Sequence, residues 1–99
     1  MTVLSSAKAR QDLLDILRYL APRNPAAARR MQSVIRAKVG ALAAAPYMGR
    51  AGRIAERLGG TRELAITGTP YLAVYRVRPD SVQILTVVHG ARDWPGGDN

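Results

Sequence analysis

Residues 60–95 read GTRELAITGTPYLAVYRVRPDSVQILTVVHGARDWP, and this stretch decides the fold. Segments 71–77 and 82–88 are rich in β-branched and aromatic residues and contain no Gly or Pro, which is typical of β-strands. They are bounded by Gly68-Thr69-Pro70 and Arg78-Pro79-Asp80-Ser81, whose residues favour turns. A third apolar segment precedes the first turn, so the stretch predicts a meander of antiparallel strands. A meander of this size is not stable alone in water, so the upstream residues must cover it.

The length of the second turn predicts how the strands pair. If residues 78–81 form a four-residue loop, Val77 faces Val82 and the following pairs come in steps of two. One predicted face then carries Tyr71, Ala73, Tyr75, Val82, Ile84, Thr86 and Val88, joined by Leu64 and Ile66. The opposite face carries Leu72, Val74, Arg76, Gln83, Leu85, Val87 and His89, joined by Glu63 and Ala65. The first face is bulkier, and we expect it to be the covered one.

The first half of the chain predicts a short strand followed by two helices. Thr2-Val3-Leu4 is apolar and suits an edge strand, and Ser5 or Ser6 supplies a helix N-cap. Pro22 is expected to end the first helix. Asn24-Pro25 starts a second helix, with Asn as N-cap and Pro at the first helical position. Apolar residues at helical spacing predict the buried side of both helices: Leu13, Ile16, Leu17, Leu20, Met31, Ile35 and Leu42.

Together these elements predict an α+β fold in a single domain over residues 1–99. The short joint between the helices implies an antiparallel helical hairpin. We expect this hairpin to lie on one face of an antiparallel sheet, made of the N-terminal strand and the C-terminal meander. Residues 47–60 are interpreted as a basic, Gly-rich connector, because they lack the GxxxxGK[ST] pattern of a phosphate-binding loop.

The composition excludes several classes of protein. There is no Cys and a single His, so neither a disulfide framework nor a zinc site is expected. Charged residues between Met1 and Leu20 exclude a signal peptide or membrane span there, and we expect a cytoplasmic protein. The formal net charge is +8, and no acidic residue occurs from Ile16 to Ala55. Such a field attracts polyanions or an acidic protein partner.

Five short motifs follow one another along the chain: NPAAA, P-x-x-GR, GTREL, PYLAVYRV and ILTVVHGARDWP. This ordered set is similar to the ParE branch of the RelE/ParE toxin superfamily, to which plasmid stabilisation proteins belong, and the resemblance extends from Leu4 to Pro95. It implies the toxin of a bacterial type II toxin–antitoxin system, neutralised by a cognate antitoxin. For ParE-like members it implies DNA gyrase as the target and no cofactor. RelE-like members instead cleave mRNA on the ribosome.

Cleavage of mRNA without a metal requires general acid–base groups and stabilisation of a charged transition state. If the chain is such an RNase, the resemblance offers the catalytic candidates His89, Glu63, Arg62 and Arg76. Two departures argue against cleavage: Pro70-Tyr71-Leu72 stands where RNase members carry a basic residue, and no Tyr follows His89. We therefore assign no catalytic residue and expect inhibition of gyrase by binding, with ribosome-dependent mRNA cleavage as the alternative. A basic nucleic-acid-binding module also fits the charge, although the Arg-rich stretch lacks interleaved aromatic residues.

The sheet face that the helices leave uncovered is the predicted antitoxin-binding surface. It would expose an apolar patch with a charged rim that includes Glu63, so the predicted binding residues are Leu72, Val74, Arg76, Leu85, Val87 and His89. A small domain rarely leaves such a patch bare. We expect an antitoxin segment there, with apolar residues on the aliphatic floor and acidic residues against the basic rim. The resulting hetero-oligomer would contact DNA only through the antitoxin.

Overall fold

The computed structural model describes residues 1–51 and 60–90. Within them the chain forms, in order, β1 (Thr2–Ser5), α1 (Ala7–Arg23), α2 (Pro25–Ala44), β2 (Thr61–Ala65), β3 (Tyr71–Val77) and β4 (Ser81–His89). This order, with the two helices packed on the sheet, confirms the predicted α+β fold. Residues 52–59 of the predicted connector lie outside the described residues.

The helix ends follow the local signals in the sequence. The Ser6 side chain caps α1, and the Asn24 side chain accepts a hydrogen bond from the Ala27 N–H at 3.0 Å at the start of α2. Pro22 was expected to end α1. It lies instead inside the last turn of the helix, which continues to Arg23 before the chain turns into α2. The joint between the helices is the single residue Asn24, which caps both of them.

The described strands form a four-stranded sheet in the order β1-β4-β3-β2. β2, β3 and β4 pair antiparallel, which confirms the predicted meander. β1 pairs with β4 in parallel, with Thr2 opposite Ser81. The sheet is therefore mixed, whereas we expected an antiparallel sheet. The chain can make this parallel pair because both helices lie between β1 and β4 and supply the long connection that parallel strands need.

Both turns of the meander form where the sequence predicts them. Val77 pairs with Val82 across the second turn, as a four-residue loop requires. At the first turn Gly68 has φ +80°, a left-handed conformation that glycine adopts without steric cost. The Ile66 N–H donates to the Tyr71 carbonyl at 3.0 Å, which confirms the predicted pairing across this turn.

The register departs from the prediction at a β-bulge in β4. Tyr75 pairs with Ile84, whereas Val74, the next residue back along β3, pairs with Thr86. Leu85 lies between the two paired positions and has no partner on β3. Because side chains alternate between faces with a period of two, one extra residue moves every later side chain of β4 to the other face.

The predicted face assignment is therefore wrong for the second half of β4. Val87 pairs with Ala73 and His89 pairs with Tyr71, so Val87 and His89 lie on the face covered by the helices. Thr86 and Val88 lie on the opposite face, reversing the expected arrangement. The assignment holds before the bulge, where Val82 and Ile84 are buried against the helices.

Ser6 at the start of α1 holds the bulge in place. β1 ends at Ser5, so none of the described strands lies beside the edge of β4 beyond that point. The Ser6 hydroxyl accepts a hydrogen bond from the Ala9 N–H at 2.9 Å and donates one to the Leu85 carbonyl at 2.8 Å. One side chain thus caps the helix and satisfies a carbonyl of the unpaired strand edge.

Asp12 completes the attachment of α1 to the same edge. Its carboxylate accepts hydrogen bonds from the Val87 N–H at 3.2 Å and from the Thr86 hydroxyl, and it forms an ion pair with Lys8 at 3.0 Å. Partial burial by itself would raise the pKa of Asp12. The hydrogen bonds from Thr86, Lys8 and Val87 outweigh that effect and lower the pKa below its ordinary value.

The core lies between the helical hairpin and the predicted first face of the sheet. Ala9 of α1 and Leu42 of α2 pack there against the sheet residues Leu64, Ala73, Tyr75, Val82 and Ile84. Of the predicted core residues, Met31 and Leu42 are buried. The others are only half-buried, namely Leu13, Ile16, Leu17, Leu20 and Ile35. Leu13, Leu17 and Ile35 are only partly covered because they line an open groove between α1 and α2.

Candidate functional site

The residues proposed for RNA cleavage do not share one face of the sheet. Arg62 and Glu63 are neighbours on β2, so their side chains point to opposite faces. Glu63 and Arg76 lie on the face away from the helices, as their cross-strand partners require. Arg62 and His89 lie on the face toward the helices. The four candidates are thus divided between two surfaces.

Arg62 and Glu63 also have structural roles. The Glu63 side chain is buried, with 4% exposure, and lies 4.0 Å from the Arg50 guanidinium. Nη1 of Arg62 donates to the Gly49 carbonyl at 2.6 Å and to the Tyr47 carbonyl at 3.3 Å. Both side chains therefore attach β2 to residues 47–50. A catalytic acid or base must be within hydrogen-bond reach of the proton that it transfers, so these structural contacts argue against a catalytic role.

His89 has a different environment, at the end of β4. Its ring lies edge-on to the Tyr71 ring, with centroids 5.5 Å apart and an angle of 78°. The Gly90 N–H donates to the Pro70 carbonyl at 2.7 Å and closes this end of the sheet. The described chain therefore brings one His and one Tyr together here, away from Glu63 and Arg76.

The exposed apolar patch predicted for antitoxin binding is not present in this form. Val74, at its centre, has 0% exposure, and Val87 lies on the helix-covered face because of the bulge. His89 has moved to that face as well, which leaves Leu72, Arg76 and Leu85 half-buried. The predicted exposure of Val74 is therefore wrong. The antitoxin-binding role of the six residues stays a prediction, without the surface that motivated it.

A second apolar surface lies on the helical hairpin, and we call it the helical groove. It is an open groove of about 370 Å³ between α1 and α2, lined by Leu13, Leu17, Gln32, Ile35, Arg36 and Val39. Three of these residues, Leu13, Ile35 and Val39, also line a cavity of about 80 Å³ between the helices and the sheet. Arg10 and Lys38 line the cavity too, so cations surround an apolar floor.

The sequence predicted that the groove residues Leu13, Leu17 and Ile35 lie in the core. Helical periodicity does not distinguish a core position from a position in an open groove. An apolar stripe along two helices shows which sides face inward, but not how much of each stripe the sheet covers. The described sheet leaves the outer edge of the stripe open. The clue in the sequence is the width of the stripe, because Leu17 extends it beyond the residues that line the cavity over the sheet.

Residues 46–50 form a tight loop against β2 and β3, and we call it the Gly49 turn. The Gly49 N–H donates to the buried hydroxyl of Tyr75 at 2.8 Å. Arg50 and Glu63 exchange two backbone hydrogen bonds, of 3.0 and 2.7 Å, as an isolated β-bridge. The connector prediction therefore missed an ordered segment. The P-x-x-GR motif marks this ordered segment in the sequence. The motif alone does not indicate the order, because Tyr75, the partner of Gly49, lies 26 residues away.

A cofactor or metal site is not evident in residues 1–51 and 60–90. No three His, Asp or Glu side chains come together there in a way that could hold a metal ion. Neither of the described helices is long and apolar enough to cross a membrane.

Comparison with known proteins identifies the family. The family described as "ParE toxin of type II toxin-antitoxin system, parDE" matches residues 3–94. The protein Y4kP of Sinorhizobium fredii (strain NBRC 101917 / NGR234), whose name describes it as a candidate toxin, is 41% identical over 88 residues. That match covers 89% of this chain and 86% of Y4kP.

Solved structures show the same fold. A structure titled as the chromosomal ParDE TA system from P. aeruginosa is similar with a TM-score of 0.74 and 26% identity, covering 90% of this chain and 95% of that one. The YoeB/ParE toxin from Agrobacterium tumefaciens has a TM-score of 0.61 at 15% identity, over 90% of this chain and 98% of that one, a likeness of fold alone. With the family match over residues 3–94, these findings lead to one conclusion: this chain belongs to the ParE toxin family of type II toxin–antitoxin systems.

Proposed function

We propose that this toxin arrests growth by binding DNA gyrase in the cytoplasm, without catalysing a reaction, and that a cognate antitoxin neutralises it. The observation that supports inhibition by binding is the division of the four cleavage candidates between two faces of the sheet. RNA cleavage needs its acid, its base and its phosphate-binding cation around one phosphodiester. Arg62 and Glu63 are instead engaged in holding the Gly49 turn.

Cleavage of mRNA on the ribosome is the second candidate, and one observation favours it. The rings of His89 and Tyr71 are in contact at one end of the sheet, and both carry groups that can transfer protons. The other candidates for a base and a cation, Glu63 and Arg76, lie on the opposite face of the sheet from this pair, so further groups would have to come from the ribosome. For this reason we rank cleavage below gyrase binding.

For the antitoxin we propose the helical groove as the principal binding surface, in place of the predicted sheet face. The groove has an apolar floor of half-buried side chains, including Leu13 and Ile35, with Arg36 on its lining. An amphipathic segment binds such a groove through apolar anchors at helical spacing. Acidic residues flanking those anchors would meet the basic rim, which fits the net charge of +8 on the toxin.

The proposal is tested with purified protein in two assays: DNA supercoiling by gyrase, and cleavage of mRNA on programmed ribosomes. We expect wild-type protein and His89→Ala to inhibit supercoiling equally, and neither to cut mRNA. Arg78→Ala, in the exposed turn between β3 and β4, is a control for a surface substitution away from His89. Codon-specific mRNA cleavage that His89→Ala abolishes, without inhibition of gyrase, would contradict the proposal and favour the second candidate.

A further inference from the structure

The Gly49 turn exposes large side chains at its tip. Tyr47 is 65% exposed and the next residue, Met48, is 45% exposed, while the side chain of Arg50 is 79% exposed. Aromatic, Met and Arg side chains are enriched in the energetically important part of protein interfaces. The tip therefore has the composition of an interface, although it lies outside the helical groove and the cavity beneath it.

The backbone under these side chains is held by hydrogen bonds at successive residues. The Met48 N–H donates to the Ala45 carbonyl at 3.1 Å, and the Gly49 N–H donates to the Tyr75 hydroxyl at 2.8 Å. The Gly49 carbonyl accepts from Arg62 at 2.6 Å. Surface loops are ordinarily more mobile than the strands they connect. This loop instead has hydrogen bonds to the sheet at Gly49 and Arg50, so we expect little ordering to remain when a partner binds.

Gly49 fits a site that a larger residue could not occupy. A Cβ at this position would lie 2.5 Å from the Tyr75 hydroxyl oxygen, 2.7 Å from its Cε1 and 2.8 Å from the Glu63 carbonyl oxygen. The loop therefore lies directly on the sheet. The Arg62 guanidinium lies 5.1 Å from the centre of the Tyr47 ring, and this cation–π contact favours the observed orientation of the ring.

We propose that Tyr47, Met48 and Arg50 form a docking site for the protein that this toxin inhibits. The partner surface would contain an apolar pocket for Tyr47 and Met48, next to acidic side chains for Arg50. Charge complementarity supports an acidic partner, because the described chain has no acidic residue from position 16 to position 51. This inference rests on the proposed function to the extent that the toxin acts on a protein target.

The docking site shares no lining residue with the helical groove. Binding of the target and binding of the antitoxin can therefore be separated by single substitutions. A substitution at the turn should affect target inhibition, and one in the groove should affect antitoxin affinity. A single shared surface would not allow this separation.

The test uses Tyr47→Ala and Met48→Ala in the full chain. Toxicity is measured as the amount of toxin that halves growth in cells without antitoxin, and affinity is measured for the antitoxin encoded beside the toxin gene. We expect Tyr47→Ala to need about 30-fold more protein for the same arrest, as at a central interface residue. Antitoxin affinity should stay within about twofold of wild type, because the groove is unchanged. Tyr47→Phe should retain toxicity, because it keeps the ring.

Tyr19→Ala is a matched control. Tyr19 is 58% exposed and lies under an Arg23 guanidinium 4.0 Å from its ring centre, so it reproduces the Tyr47–Arg62 pair on α1. Full toxicity of Tyr47→Ala, or equal losses for Tyr19→Ala and Tyr47→Ala, would overturn the proposal. Loss of antitoxin binding, or a changed mass in solution with toxicity intact, would also overturn it, since the occupant would be the antitoxin or a second copy.

A supercoiling assay with the same variants distinguishes this inference from the choice of gyrase. If wild type does not inhibit gyrase but Tyr47→Ala still abolishes growth arrest, the docking site stands and gyrase is the wrong target. If wild type and Tyr47→Ala inhibit gyrase equally, gyrase stands and the docking site is wrong.

Discussion

The helical groove and the Gly49 turn are two exposed surfaces built in opposite ways. The groove is lined mainly by apolar side chains, including Leu13 and Ile35, and lies above a cavity of about 80 Å³. The turn is fixed by polar contacts, including the buried bond from Gly49 to Tyr75. We therefore expect a partner to complete the groove, whereas the turn is held by the chain's own hydrogen bonds before any partner binds.

This difference predicts different energetics of binding. A partner in the groove gains free energy mainly from apolar area, at roughly 25 cal/mol per Å² before the costs of ordering its own chain. A partner on the turn gains it from a few rigid side chains, so one substitution can remove much of the affinity. An antitoxin segment that folds as it binds suits the groove, and a preformed target surface suits the turn.

Val74→Asp should have the largest effect, because it tests whether the sheet offers a third surface. Val74 is completely buried, so the variant places a charge without a partner in the interior. We expect a loss of at least about 4 kcal/mol in the free energy of unfolding, a large part of the ~5–15 available to a domain. Chemical denaturation measures it. A folded Val74→Asp protein that only loses antitoxin affinity would restore the sheet face as the binding surface.

The groove can be distinguished from the core by comparing Leu42→Ala with Ile35→Ala. Leu42 is fully buried against the sheet, and its truncation should cost about 2–5 kcal/mol of stability. Ile35 is half-buried and lines the groove, so its truncation should cost less than that of Leu42 but weaken antitoxin binding. Thermal melts and antitoxin titrations measure both effects. Equal melting shifts would mean that Ile35 is a core residue and that the groove is not a distinct surface.

The close packing of Gly49 against the sheet is tested by Gly49→Ala, with Gly40→Ala as the control. At Gly49 an added methyl group meets the Tyr75 hydroxyl and the Glu63 carbonyl, so we expect a loss of about 1–3 kcal/mol of stability from overpacking. At Gly40, on the exposed side of α2, a Cβ has no atom within 4 Å. Ala there should stabilise the protein by up to about 1 kcal/mol through its helix propensity. Equal melting temperatures of Gly49→Ala and Gly40→Ala would show that the turn is not closely packed against the sheet.

The smallest expected effect is a dependence of stability on acid, from Asp12. Its folded-state pKa is lowered below the ordinary value of 3.8, so the stability it provides is present above that value. This stability is lost as the pH falls through the folded-state pKa. Asp12→Asn should therefore be less stable than wild type at pH 7, with a smaller further loss between pH 5 and pH 2 in the same denaturation assay. Identical pH profiles would mean that α1 is not held to β4 through this carboxylate.

Local signals in the sequence were sufficient for the strands, the turns and the helix caps. Gly68, Asn24 and, in its role as helix cap, Ser6 act through neighbours a few residues away, so these roles can be predicted from the printed order. The bulge at Leu85 depends instead on a hydroxyl 79 residues earlier in the chain. No local pattern carries that contact, and one extra residue was enough to exchange the faces of Val87 and His89.

The candidate surfaces were harder to predict than the fold for the same reason. Whether Ile35 is core or groove depends on how much of α2 the sheet covers, which is a tertiary quantity. The Gly49 turn depends on Tyr75, a strand residue whose hydroxyl has an unexpected partner in the connector. By contrast, the ordered motifs predicted the family correctly, because the residues that define the ParE family are spread over the whole chain.

The claim of two separate surfaces is tested most directly by methyl NMR of one toxin sample, labelled at Ile, Leu, Val and Met, during titration with the antitoxin encoded beside it. We expect large shifts of the Ile35 and Val39 methyl signals in the helical groove, while the Met48 methyl signal at the Gly49 turn stays in place. Titration with the gyrase subunit should give the reverse pattern. A shift of the Met48 signal on adding antitoxin, with the Ile35 and Val39 signals unchanged, would show that the antitoxin binds the turn and not the groove.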